Sequence, residues 1–133
     1  MNPQAFVFFG RSGCGKGTQA KLLSEFLKSK GKEVIYIETG STFRELGSQD
    51  TLVGRTINEI LRNGLLIPVF LPIWIWTGII INKFSGKEDM IMDGVCRRKE
   101  ESIALDSLFN FYKIEKPNII LINVSRDWSY TRM

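Results

Sequence analysis

Apolar positions along the first forty residues change their period twice. Val7 to Phe9, inside the run Ala5 to Phe9, is short and continuously apolar, as a buried strand requires, whereas Ala20, Leu23, Phe26 and Leu27 recur at helical spacing within Lys16 to Lys30. Gly31 closes that helix, and Lys32 to Glu38, KEVIYIE, predicts a second strand from its β-branched and aromatic residues. Thr39 to Arg62 carries two short helical patterns. Asp50 is placed to cap the second, whose Val53, Ile57, Ile60 and Leu61 share a face before Gly64 stops it. Met90 to Asp93 predicts a third strand ending in an acid, and Lys99 to Tyr112 a helix with Ala104, Leu105, Leu108 and Tyr112 inward. Asn118 to Val124, NIILINV, predicts a fourth strand, and a new helix is expected from Asp127.

Leu65 to Ile81 runs for seventeen residues without a charge, so a membrane span and a buried core helix both have to be weighed. The run falls short of the roughly twenty residues a span needs and contains Pro68 and Pro72. Pro68 suits the first turn of a helix, where its missing N–H is no loss. With Trp74 and Trp76 adding bulk, a buried core helix is the favoured reading. Strands alternating with helices imply an α/β layer sandwich around a parallel sheet with right-handed crossovers. Sheets of that kind bind ligands at the carboxyl ends of their strands. A length of 133 residues without internal repeat or linker fits one domain.

Composition narrows the partners. Eighteen basic against fourteen acidic residues leave a net charge of +4 on a mixed surface, which suits a small polyanion such as a nucleotide. Aromatics are not interleaved with Lys or Arg on one face, so a nucleic-acid groove is not expected. Cys14 and Cys96 are too few and too far apart for a disulfide framework or a metal knuckle, and a reducing, cytoplasmic setting is the default. Met1-Asn2-Pro3-Gln4 lacks the basic start of a signal peptide. The absence of histidine moves any chemistry toward positioning and electrostatics.

The chemistry concentrates in Gly10 to Thr18, GRSGCGKGT, which fits Gly-x-x-x-x-Gly-Lys between a strand and a helix. Glycines let the chain curl so that successive N–H groups point inward at phosphate oxygens, and the following helix aims its N-terminus at the same atoms. Lys16 would reach the β- and γ-phosphates, and the hydroxyl that would hold Mg²⁺ arrives one place late, at Thr18 after Gly17. The bland alternative is a glycine-rich turn that binds nothing. Asp93, at its strand end, has the placement of a metal-holding acid. Arg44, Arg97, Arg98 and Arg132 fall on the same rim, where guanidinium forks suit transferring phosphates, although a solvated surface role fits Arg126 and stays open for Arg98. Cys14, at a helix N-terminus, is either a redox-sensitive thiol or a filler of a variable loop position. Cys96 is read as packing alone.

On these residues the chain resembles the adenylate kinase family of nucleoside monophosphate kinases. GRSGCGKGTQA carries the family's Gly-Lys-Gly-Thr-Gln, with Ser12 where the family usually has proline. The resemblance implies donor-phosphate binding by Gly13, Cys14, Gly15, Lys16, Gly17 and Thr18. TGSTFRELG is similar to the start of the monophosphate-binding region, which implies that Thr39 and Gly40 lie near the acceptor base and that Arg44 grips its phosphate. NGLLIP is similar to the end of that region, so Leu65, Leu66 and Ile67 would close over the base. Residues 39–67 would thus form a small helical insertion in the kinase core. DGVCRR resembles Asp-Gly-Phe-Pro-Arg, which implies a magnesium-water role for Asp93, a place at the acceptor for Gly94 and an acceptor-phosphate role for Arg97; Val95 and Cys96 depart from Phe-Pro. Glu101 stands where adenylate-specific members have a glutamine that reads adenine. Arg132 stands where the family has an arginine beside the donor.

The implied fold is a three-layer sandwich of the P-loop nucleotide kinase type with about four strands. The implied reaction is transfer of the γ-phosphoryl of Mg-ATP to a nucleoside monophosphate, AMP in the family's pattern. Catalysis would rest on Lys16, Arg44, Arg97 and Arg132, with Mg²⁺ on Thr18 and Asp93. A monomer that acts on small nucleotides, without nucleic acid or membrane, is expected. In the family the chain runs on from the position of Arg132 into an arginine-bearing lid, a fifth strand and a last helix. The alternative reading is therefore a truncated nucleotide-binding module with little or no kinase activity.

Overall fold

The side chains of β1, β2 and β3 alternate between two helical layers, and that alternation sets the architecture. The computed structural model describes residues 2–11 and 13–128. Its elements run β1 (Ala5–Phe9), α1 (Lys16–Ser29), β2 (Val34–Glu38), α2 (Thr39–Ser48), α3 (Leu52–Arg62), α4 (Phe70–Lys83), β3 (Asp89–Asp93), α5 (Lys99–Tyr112) and β4 (Asn118–Leu121). The four strands are parallel in the order β2-β3-β1-β4. Ala5, Val7, Ile35, Ile37, Met90 and Met92 point to one face, against Trp76 and Ile80 of α4 and Leu105, Leu108 and Phe109 of α5. Phe8 and Ile91 point to the other, against Ala20 and Leu27 of α1. The period of two in the strands thus meets the apolar stripes of helices on both sides, which is the three-layer α/β fold the sequence predicts.

Register brings the strand ends together. Asp93 pairs with Phe8 on one side and Glu38 on the other, so the loop after β1, the start of α2 and the end of β3 open at one edge of the sheet. This is the carboxyl edge at which parallel sheets take ligands.

Several local expectations are corrected. In α1 the buried positions are Ala20, Ser24 and Leu27, whereas Phe26 is 56% exposed with Lys30 Nζ 5.6 Å from its ring centre. The inward stripe follows the i, i+4, i+7 row and leaves Phe26 outside it. At α3 the cap is Thr51, whose Oγ1 accepts the Gly54 N–H at 3.1 Å, while Asp50 pairs with Arg55 at 2.8 Å. Ile57 is buried on that helix, but Val53 and Leu61 are exposed.

Leu65 to Pro68 lie outside any helix, and α4 begins only at Phe70. Gly64, at φ 69°, ends α3 in the left-handed conformation, and the Leu65 N–H returns to Ile60 O at 3.0 Å. The first-turn place expected for Pro68 is taken by Pro72, the third residue of α4, where no intrahelical acceptor is due for an N–H. Fourteen residues span about 21 Å at the helical rise, well short of a bilayer core. Trp76 and Ile80 are fully buried, and no helix among the described residues is long and apolar enough to cross a membrane. Finally, β4 stops at Leu121, with one more sheet bond from Ile122 N to Phe9 O, 2.8 Å. Residues 126–128 turn helical, as expected near Asp127.

Candidate functional site

The loop between β1 and α1 is folded tightly on itself. A Cβ on Gly10 would stand 2.5 Å from Cys14 Sγ and 3.1 Å from Ile122 O, so a side chain there would force the loop apart. The Cys14 N–H donates to Arg11 O at 3.2 Å, and Gly15, at φ 90°, occupies the cap position of α1 in a conformation that glycine takes without strain. No side chain caps α1 and its first turn holds no acid, so the first helical N–H groups face the loop unmet by any side chain. Beside them lies a concavity of ≈320 Å³ lined by Arg11, Gly13, Cys14, Gly15, Lys16, Gly17, Thr18 and Lys21. Three cations, a helix N-terminus and no carboxylate make this an anion cradle. Cys14 is buried, its sulfur packed under Gly10, which fits the filler role.

Asp93 is held between two strands and this loop. Lys16 Nζ is 3.5 Å from its Oδ1, and the Tyr36 hydroxyl donates to its Oδ2 at 2.9 Å. Burial, followed by the hydrogen bond to Asp93 and the charges of Asp93 and Glu38, pushes the Tyr36 phenol far above its usual range, so it remains a donor. The Asp93 carboxylate and the Thr18 hydroxyl of the phosphate loop could offer oxygens to a cation. Among the described residues no cluster of three or more His, Cys, Asp or Glu could cage a metal. One carboxylate and one hydroxyl suit Mg²⁺, which keeps most of its water and is completed by phosphate oxygens.

A second cavity of ≈390 Å³ opens at Gly94, the residue after Asp93. Thr39, Gly40, Phe43, Leu61, Leu65, Leu66, Ile67, Pro72, Gly94, Arg97, Arg98 and Glu101 line it. Its apolar wall comes from the extended 65–67 segment and its polar end from the loop after β3. In that loop Gly94, at φ 78°, lets Arg97 Nε donate to Gly94 O at 3.2 Å; a Cβ there would lie 3.1 Å from Arg97 Nη2. Cys96 adopts φ 65°, which a proline ring cannot reach. Burial pushes its thiol up, so it is a poor nucleophile. Glu101 is buried: its Oε2 accepts the N–H groups of Arg97 (3.0 Å) and Arg98 (3.2 Å), and its Oε1 that of the Trp76 indole (3.3 Å).

Most residues singled out in the sequence therefore gather in two adjacent cavities. Arg44 lines neither: it is largely exposed, 3.8 Å from Glu38 Oε1. Arg132 and Ser12 lie outside the described residues. The sequence reading missed Arg11, Lys21, Tyr36 and Trp76, and left Arg98 open; the Arg98 guanidinium in fact reaches Ile67 O and ties the two cavity walls together. Arg11 had a usable signal, its place inside the motif of residues 10–18, and so did Lys21, one helical turn beyond Thr18 on the same face.

A family model described as an AAA domain matches residues 9–133. The chain is 37% identical over 108 residues to the adenylate kinase of Borrelia duttonii (strain Ly), a match that covers 81% of this chain and 48% of that protein. It is 36% identical over 121 residues to that of Borrelia turicatae (strain 91E135), covering 91% and 51%. With that of Clostridium kluyveri (strain NBRC 12016) it shares 32% over 130 residues, covering 96% and 56%. The chain spans about half the length of the curated relatives it matches.

Proposed function

Because the chain belongs to the AAA-domain family of P-loop proteins and is a relative of adenylate kinases, we propose that it transfers the γ-phosphoryl group of ATP to a nucleoside monophosphate, AMP being the acceptor its relatives suggest. The observation that supports this reading best is the adjacency of the two cavities through one strand end: Asp93 faces Lys16 in the phosphate loop, and the next residue, Gly94, lines the acceptor cavity.

In this reading the loop amides, Lys16 and the flanking Arg11 and Lys21 bind the donor phosphates. The apolar wall of residues 65–67 takes the acceptor base, with Thr39 and Gly40 beside it, and Arg97 holds the acceptor phosphate. Arg44 leaves Glu38 for the same phosphate, a small loss for an exposed pair. Residues 39–67 act as the monophosphate-binding region. Asp93 and Thr18 would hold Mg²⁺, which would supply charge neutralisation for the transferring phosphoryl group. In-line placement and charge stabilisation then suffice without a strong base, in keeping with a chain that lacks histidine. A monomer working on small nucleotides in the cytoplasm is the setting this implies. The second reading, a nucleotide-binding module without efficient transfer, is motivated by Arg44, which pairs with Glu38 and lines neither cavity.

Lys16→Met should lower phosphoryl transfer by about 10²-fold or more with unfolding unchanged, since a charge on the phosphates is lost. Unaltered transfer in that variant would remove the phosphate-loop assignment.

A further inference from the structure

Tyr36 is not part of the phosphate loop or of either cavity lining, yet its hydroxyl ends on the Asp93 carboxylate, which pairs with Lys16 of the first cavity and directly precedes Gly94 of the second. Tyr36 pairs with Ile91 and Glu38 with Asp93, so the phenol reaches forward by two residues, roughly 6.6 Å along the sheet. Its ring packs against the buried cluster of Phe8, Ala20, Leu27 and Ile91 beneath α1, and that apolar space would be filled equally by phenylalanine. The hydroxyl is therefore the informative atom.

Among the described residues the Asp93 carboxylate has two side-chain partners, and they differ in kind. Lys16 approaches Oδ1 at 3.5 Å from a flexible stem and would be drawn away by a bound phosphate. The Tyr36 hydroxyl, fixed by a packed ring, stays on Oδ2 at 2.9 Å. We infer that Tyr36 is a positioning residue that fixes the Asp93 carboxylate once Lys16 has turned to phosphate, leaving Oδ1 oriented for a cation or its water. The inference rests on the phosphotransferase reading above. Groups that act through a ligand in this way typically change metal affinity or activity by 10–100-fold.

The test is calorimetric binding of ATP to the full chain, once in EDTA and once in saturating Mg²⁺, with wild type, Tyr36→Phe, Asp93→Asn and the double variant. Tyr36→Phe should bind metal-free ATP within about twofold of wild type and lose about tenfold of the affinity gained with Mg²⁺. Added to Asp93→Asn it should cause no further loss. An equal loss with and without Mg²⁺, an unchanged Mg²⁺ gain, or an additional loss in the double variant would each overturn the role. Failure of the wild type to bind ATP in either condition would instead overturn the phosphate-site reading, and this inference with it.

Discussion

The indole Nε1 of Trp76 donates to Glu101 Oε1 at 3.3 Å, while Oε2 of the same buried carboxyl accepts the N–H groups of Arg97 and Arg98 at 3.0 and 3.2 Å. One side chain thereby joins α4, the start of α5 and the loop that carries Arg97. It also lines the second cavity, so this carboxylate is built into the cavity wall.

Removing that carboxyl leaves buried donors without acceptors. Glu101→Ala should therefore lower stability by about 2–4 kcal/mol. Glu101→Gln, which keeps one strong acceptor, should cost less than half as much. Urea unfolding of the two variants checks this, and equal, small losses would show that the three hydrogen bonds carry little.

Cys96 sits at φ 65°, where the related pattern has proline. Because the ring fixes φ near −65°, Cys96→Pro should destabilise the chain by more than about 1 kcal/mol and disturb the Arg97 loop. Thermal unfolding reads the loss. A variant as stable as wild type would mean that the loop has a second conformation of similar energy.

The turn that feeds β3, and so places Asp93, depends on a buried acid. Burial works to raise the Glu88 pKa, but hydrogen bonds from the Ser85 hydroxyl and N–H outweigh it and hold the carboxyl below its usual 4.5. A carboxyl whose folded pKa is depressed contributes stability above its unfolded value and loses it as pH falls through the folded one. Ser85→Ala should thus be about 1 kcal/mol less stable than wild type at neutral pH, with the gap closing as pH drops well below 4.5. A gap that persists unchanged into acid would contradict the coupling.

Local features were legible in the chain, and long-range partners were not. The phosphate loop, the four strands and Asp93 declare themselves through period and glycine spacing, since those signals act over a few residues. Thr51 displaced Asp50 as a cap by a choice between neighbouring side chains, which spacing alone does not decide. Tyr36 meets Asp93 across 57 positions, Arg98 meets Ile67 across 31, and Trp76 meets Glu101 across 25. A tryptophan in an apolar run reads as bulk, and only the packed fold gives its N–H a partner.

The most direct measurement is a coupled assay with Mg-ATP and AMP, GMP, CMP or UMP in turn, following nucleoside diphosphate and inorganic phosphate together. The account predicts diphosphate formation with at least one acceptor, in excess of phosphate release, and its loss in Lys16→Met. ATP binding without diphosphate from any of the four acceptors would contradict the transfer reaction and leave a nucleotide-binding module.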